Sequence, residues 1–373
     1  MKCGGSCIVA YETIKEWQKE NNIVDIFTCK LTKTSNDELF KDNIYRSLNK
    51  KNILKSAYEL SKIIKTNEYE IILFHTTISW YVYNWSKVFY KDNAKKILVY
   101  HGPWHKEAKY KYIGNNKKIE ALILPIMMKM LEKKCAKKNE NFIFLSQYMK
   151  KELNSIKNIE NKNISIIPGG VNLNNYKRKY TKKEAKKELN IPEDKLTIFT
   201  LRRLDKRMGI DDAINAIGML DEKIKENIVF IIGGKGGYLE ELKKVKEEKK
   251  VNVEFAGFIP DEKVNLYFCA ADLFLVPSKD LEGFGLVNLE SLAMGVPVLA
   301  RPQGGMIELK DKFDNFYLCN SMEIRSLKEG IEKLYHKCKN SIIEEKNISN
   351  YSWKNISKEY IRIFKELSKN ENI

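Results

Sequence analysis

The sequence predicts an α/β protein built on two parallel, doubly wound sheets, and three observations carry that expectation. Nine short apolar runs recur along the chain: "EIILFH" (70–75), "KILVYH" (96–101), "NFIFLS" (141–146), "ISIIPG" (164–169), "LTIFTLRRL" (196–204), "IVFIIGG" (228–234), "VNVEFAG" (251–257), "LFLVPS" (273–278) and "VPVLA" (296–300). Amphipathic stretches separate most of them, the alternation expected of parallel strands joined by crossover helices. The chain has 373 residues, more than one core holds, since single cores stop growing at roughly 250 to 300 residues. A polar, charged segment at 173–195 lies between a Gly-Gly turn and a new strand, where a linker belongs. The expected order is a first domain over 1–172, the linker over 173–195, a second domain over 196–350 and a closing helix over 351–373.

The start breaks the pattern. "MKCGGSCIVAYETIKEW" opens on a glycine turn and a helix where such a domain opens on a strand, so either the first strand is missing or the start is unusual. Residues 79–90 gather Trp80, Tyr81, Tyr83, Trp85, Phe89 and Tyr90, either as faces on which sugars stack or as a buried amphipathic helix. Basic runs crowd the same half, as in "NAKK" (93–96), "KEAKYKY" (106–112), "KKIE" (117–120) and "MKMLEKKCAKK" (128–138), and the whole chain carries a formal charge of +17. Such a surface suits an anionic lipid or polyanionic acceptor, or it reflects a Lys-rich composition that merely solvates helix faces. No zinc finger or RNP-like strand accompanies the charge, so nucleic acid is not the expected partner.

The longest strongly apolar run, 121–128, is well short of the ~20 residues a spanning helix needs, and no signal peptide precedes it; a soluble, cytoplasmic protein is expected. Seven cysteines at 3, 7, 29, 135, 269, 319 and 338 form neither a repeated C-x-x-C pair nor a disulfide pattern, and the four histidines do not cluster with them. No metal and no cofactor is expected.

The most informative stretch is "DLEGFGLVNLESLAMGVPVLA" (280–300). Its signals read as a loop over 278–285, a short helix over 286–294, a stop at Gly295 and a strand to Ala300. Gly283 and Gly285 let the backbone come close to a ligand, and the helix they open presents unpaired N–H groups and a positive dipole end that suit a phosphate. Glu282 and Glu290 stand on either side of that glycine turn. A carboxylate beside a phosphate repels it, so the pair is better placed to accept hydrogen bonds from hydroxyls, and a ligand with hydroxyls on both sides of a phosphate is a nucleotide sugar. A glutamate in a first helical turn also serves as a plain dipole partner, and that reading stays open on this stretch alone.

"EGFGLVNLESLAMGVPVLA" resembles the E-x7-E signature of the retaining glycosyltransferases of family four, which have the GT-B fold. Further motifs follow in the family's order. "IIPGGVNLNNY" (166–176) is similar to the Pro-Asn-Gly-Val-Asp turn that ends the first domain, with Gly169 and Asn172 replacing its Asn and Asp. "LRRLDKRMGI" (201–210) resembles the Gly-Arg-Leu loop with a lysine five residues after its arginine, and "IIGGKGGYLEEL", "FAGFIPDEKVNLYFCAADLFLVPS" and "GGMIE" (304–308) come after it. The resemblance implies two Rossmann-like domains facing a central cleft, with the C-terminal helix crossing back to the first domain.

It also implies roles. Arg203 would grip the donor diphosphate with its planar fork. The second cation belongs at position 208, where this chain has methionine, so Arg207 or Lys206 would supply the charge. Glu290 would bind the ribose hydroxyls and Glu282 the donor sugar, while Phe284, Gly285 and Leu286 offer backbone N–H groups. Gly4 and Gly5 would form the first-domain loop facing the diphosphate, and His101, in "VYHGPW", would stand beside the donor sugar, with His75 similarly placed. Transfer would proceed on one face of the sugar, the leaving phosphate taking the acceptor's proton.

The closing segment "YSWKNISKEYIRIFKELSK" (351–369) puts Trp353, Ile356, Tyr360, Ile363, Phe364 and Leu367 on one helical face, to cap the second domain or, by resemblance, to return to the first. Together these readings point to a sugar transferred from a nucleotide-sugar donor to a saccharide, lipid-linked or surface-polymer acceptor in cell-envelope polysaccharide synthesis, by an enzyme held peripherally on an anionic membrane. The alternatives are a nucleotide-sugar epimerase of the same fold, or a non-catalytic binder of sugar nucleotides or polyanions.

Overall fold

In a computed structural model the described residues are 4–29, 44–49, 52–113, 118–338 and 347–369, and the chain divides into two compact units. The N-terminal unit comprises Lys2–Ala108, Leu122–Gly169 and Trp353–Ile373; the C-terminal unit comprises Gly170–Ser352 with Lys109–Ala121.

The N-terminal unit holds two parallel sheets. A small one pairs β1 (Ile26–Cys29) with β2 (Ile44–Leu48). The larger runs β3 (Ile71–Phe74), β4 (Lys95–Tyr100), β5 (Asn141–Phe144) and β6 (Asn163–Ile166) side by side in chain order. Its register, with Ile97 opposite Asn141 and Asn141 opposite Asn163, leaves an apolar slab of Leu98, Tyr100, Phe142 and Phe144 that buries against Phe74, Trp80 and Tyr83. The aromatic segment expected at 79–90 is divided by its helix, Thr77–Ser86. Trp80 and Tyr83 turn inward, where Trp80 Nε1 donates to Asn139 Oδ1 at 3.1 Å and Tyr83 Oη donates to Asp92 at 2.8 Å, while Trp85 and Phe89 stay about half exposed at 47% and 49%. The core reading therefore accounts for the inner ring faces.

Among the described residues this unit begins with a helix, Gly5–Lys19, as the sequence suggests. The closing helix, Trp353–Lys369, packs against it. Trp17 meets Tyr360 and Phe364 edge-on at 5.6 and 5.5 Å, and its Nε1 donates to the Ser357 carbonyl at 3.2 Å. The return of the C-terminal helix to the first domain is thus an observed feature of the fold.

The C-terminal unit is a six-stranded parallel sheet in the order β9 (Val253–Gly257), β8 (Ile228–Gly233), β7 (Leu196–Leu201), β10 (Leu273–Val276), β11 (Val298–Ala300) and β12 (Phe316–Leu318). Strands β8 and β10 are buried at every position, because helices cover both faces of a doubly wound sheet. The chain winds outward from β7 one way to β9, then returns to β10 and winds the other way. The order reverses between β7 and β10, which makes their carboxyl ends a switch point, the place where open sheets bind ligands.

Residues 173–195, expected to be a linker, are built into this unit instead. A capping box of Thr181 and Glu184 starts a helix, Lys182–Glu188. Lys182 and Lys186 reach Asp272 at 2.6 and 3.3 Å, and the same carboxylate accepts from the Thr197 backbone N–H at 2.8 Å. A polar composition concealed a buried ion cluster.

Candidate active site

Two loops leave the switch point of the C-terminal unit. The first follows β7 through Arg202, Arg203, Lys206, Arg207 and Met208 to Gly209; the second follows β10 through Ser278, Glu282 and Gly285 into the helix Leu286–Ala293. They are pressed together. Gly209 has φ +69°, and a Cβ there would lie 1.9 Å from the Pro277 carbonyl oxygen, so only glycine allows this approach. Gly285 caps the helix at φ +71°, with Asn288 Nδ2 only 2.4 Å from where a Cβ would sit. The "GGMIE" stretch braces the second loop from behind, Gly305 N–H donating to the Glu282 carbonyl at 2.9 Å.

The sequence-derived residues fall into three environments. Glu282 is buried, and its Oε2 accepts from Ser278 Oγ at 2.7 Å and from the guanidinium of Arg202. Arg207 is also buried, with Nη1 3.4 Å from the carbonyl oxygens of both Asp280 and Leu281, so its charge ties the two loops together. Arg203 and Lys206 point outward, and among the described residues neither side chain makes a hydrogen bond or ion pair. Phe284 is buried at 4% exposure, whereas Gly283 and Leu286 are half-buried beside the helix start.

Glu290 lies one turn into that helix and is half-buried. Burial pushes its carboxyl up to about 7; a hydrogen bond from Tyr176 opposes the shift and the charge of Asp261 adds to it. Tyr176 belongs to the "GGVNLNNY" turn, so a motif far earlier in the chain meets this carboxylate physically.

The remaining expectations fall in the N-terminal unit. Gly4 caps the helix Gly5–Lys19 with extended backbone, and space is open around it. His101 leaves the carboxyl end of β4 and His75 that of β3, and the two rings stack at 5.3 Å with Nδ1 of His75 3.0 Å from Nε2 of His101. Burial holds His75 down to about 4, and burial together with the charge of His75 holds His101 well below the ordinary histidine value. His105, which the sequence left without a role, reaches buried Glu132 at 2.5 Å, and Glu132 also accepts from Trp104 N–H at 2.7 Å.

Sequence reasoning passed over Arg202, Ser278 and an inner network in which Arg301 meets Asp212 at 2.6 Å and Lys279 meets Asp211 and Asp212 at 2.9 and 2.8 Å. The doubled arginine in "LRRL" was the one visible signal for Arg202. Among the described residues no group of three or more His, Cys, Asp or Glu is arranged to hold a metal ion.

Together these features define an α/β protein whose C-terminal unit presents two carboxylates, a helix start and two free cations at a switch point. Residues 181–354 match the family described as glycosyl transferases group 1, and residues 3–175 match glycosyltransferase family 4. Each match covers just under half of the chain, and the two parallel-sheet units have the GT-B fold of the solved glycosyltransferases that the chain is similar to. The lipopolysaccharide 1,2-N-acetylglucosaminetransferase of Salmonella typhimurium is 30% identical over 212 residues, 53% of this chain and 55% of its own length. The GDP-mannose-dependent alpha-(1-6)-phosphatidylinositol monomannoside mannosyltransferase of Mycolicibacterium smegmatis is 36% identical over 123 residues, 31% of this chain and 32% of its own. The chain thus spans about half the length or less of these curated relatives. The Anabaena protein HepE, solved in complex with UDP, shares the fold at a TM-score of 0.72 and 16% identity, over 97% of this chain and 96% of that one.

Proposed function

We propose that the protein transfers a sugar, with retention and without a metal, from a nucleotide-sugar donor to a hydroxyl of a saccharide or lipid-linked acceptor. The observation that carries the proposal is the placement of Glu282 and Glu290 on either side of the helix start at the switch point. In this reading Glu290 accepts hydrogen bonds from the ribose hydroxyls and Glu282 from those of the donor sugar. The diphosphate lies at the start of helix Leu286–Ala293, whose dipole favours negative charge. Arg203 and Lys206, exposed and without partners among the described residues, offset the charge that grows on the departing diphosphate. The acceptor oxygen bonds to the anomeric carbon as the bond to the phosphate breaks, and the acceptor's proton passes to the phosphate.

The acceptor class is supported by relatives named for lipopolysaccharide and phosphatidylinositol mannoside substrates. It is also supported by the helix Lys118–Lys138, which exposes Leu122, Ile123, Ile126, Met127 and Met130 beside Lys129, Lys133 and Lys134. Apolar anchors flanked by lysines suit the cytoplasmic face of an anionic membrane, each lysine adding about 1 kcal/mol. No helix among the described residues is long and apolar enough to cross a membrane.

The test incubates the protein with UDP-glucose, UDP-N-acetylglucosamine and GDP-mannose, and follows release of the nucleoside diphosphate with and without chelator. One donor should turn over equally in both, and the released sugar should keep its anomeric configuration. Absence of both binding and turnover across the panel would overturn the proposal. Co-sedimentation with anionic vesicles, lost at high salt, tests the membrane surface; equal failure with anionic and neutral vesicles at low salt would remove it.

A further inference from the structure

Arg202 is a residue of this site to which the proposed function gives no role. Its side chain is only 6% exposed, a costly position for a permanent charge, and it enters the site from the end of β7 to meet Glu282, whose side chain is 10% exposed. The pairing is asymmetric. The guanidinium and Ser278 Oγ both bind Oε2 of Glu282, and no described residue pairs with Oε1, which lies 3.2 Å from the Cβ position at Gly285, on the side of the helix start. A carboxylate held by one oxygen, with the other turned to the glycine loop, has the form of an oriented hydrogen-bond acceptor. Arg202 also lies 3.5 Å from Met208 Sδ, on a soft apolar surface that adds no competing charge. Among the described residues its Nε and Nη1 are buried without partners, so the bond that this guanidinium makes to an ion there is the bond to Glu282.

We infer that Arg202 is a positioning residue for the donor sugar: together with Ser278 it fixes Oε2 of Glu282 so that Oε1 accepts from the sugar's hydroxyls. The inference rests on the proposed function and adds to it a residue that acts through Glu282 and not on the diphosphate. The sugar's orientation, and not the affinity for the nucleotide, is what Arg202 sets.

The experiment compares wild type with R202M, R202K, E282Q and the double variant R202M/E282Q. It measures turnover of the donor identified from the panel of UDP-glucose, UDP-N-acetylglucosamine and GDP-mannose, and calorimetric affinity for UDP and GDP. R202M should lose about 100-fold in kcat/KM, the scale of a reacting group misplaced by about 1 Å, while UDP or GDP affinity stays within about 3-fold of wild type. The double variant should fall no further than the worse single one, because both remove the same interaction, and R202K should recover part of the loss. R202M leaves a carboxylate buried alone; if it does not fold, the neutral pair in the double variant and the charge kept in R202K carry the same comparison. Normal turnover in R202M, multiplicative losses in the double variant, or a fall in nucleoside diphosphate affinity as large as the fall in turnover would each overturn the inference while leaving the proposed function standing. A wild-type protein that neither binds nor turns over any donor would overturn both.

Discussion

Affinity for the donor should depend on pH through Glu290. Its carboxyl is raised from an ordinary 4.5 to about 7, mainly by burial, whereas hydrogen bonds from ribose hydroxyls require the ionised form. About 9 in 10 molecules hold an ionised Glu290 at pH 8 and about 1 in 10 at pH 6, so affinity should drop about tenfold between them, or ~1.4 kcal/mol. The two histidines near the ends of β3 and β4 do not mimic this effect, because His75 titrates at about 4 and His101 well below its usual range. Intact sugar nucleotides are the right probes, since their diphosphate carries no group that titrates in this window. Calorimetry at pH 6, 7 and 8 and constant ionic strength should give the slope in wild type and a flat, weaker profile in E290Q. Stability supplies an independent check with its own sign. The folded state holds this proton more tightly than the unfolded chain, so stability falls as pH climbs from about 4.5 to about 7, by up to about 3 kcal/mol. E290Q should therefore gain on wild type at pH 8 and match it near pH 4.5. A flat wild-type affinity profile, or an unchanged slope in E290Q, would refute the assignment of Glu290 to the ribose.

Three further outcomes are expected. Arg203→Ala should lose about 100-fold in donor turnover with an unchanged melting temperature, because the side chain is exposed and makes no hydrogen bond or ion pair among the described residues; full activity would remove it from the diphosphate. Met208→Lys should lower turnover, since an ammonium set against the guanidinium of Arg202 competes for Glu282; higher turnover would mean that the site lacks a cation at 208. Trp17→Ala should cost about 3 to 5 kcal/mol in urea unfolding and speed hydrogen exchange in Trp353–Lys369, the helix that it holds; a cost below ~1 kcal/mol would show that the return of that helix does not depend on this contact.

The strands buried on both faces were the most legible part of the sequence, because an unbroken run such as Val229 to Ile232 announces a central parallel strand without any tertiary context. The strands that escaped were short and half-buried. β1 and β2 each carry half-buried polar positions, as at Thr28 and Arg46, and β12 is three residues long, so none presents a period to read. The linker expectation differs from the structure for a related reason: Lys182, Lys186 and Asp272 look solvated in sequence, and Lys186 and Asp272 are buried, with Lys182 partly so, once the residue before a distant strand supplies the carboxylate.

The site shows the same division between pattern and pairing. Glycine positions and the spacing of Glu282 and Glu290 are local, and the turn and helix they predict are the ones that form. Which arginine meets Glu282 is not local. Arg202 and Arg203 are adjacent in an extended segment, so their side chains leave opposite sides of the backbone, one toward Glu282 and one outward. Motif resemblance selects Arg203, and the alternation of the backbone then hands the neighbouring side to a second cation whose only visible sign was a doubled letter. Position 208 follows from that geometry. Once Arg202 occupies the space beside Glu282, the residue packed against it must be uncharged, and a flexible thioether fills the irregular gap that an ammonium would disrupt.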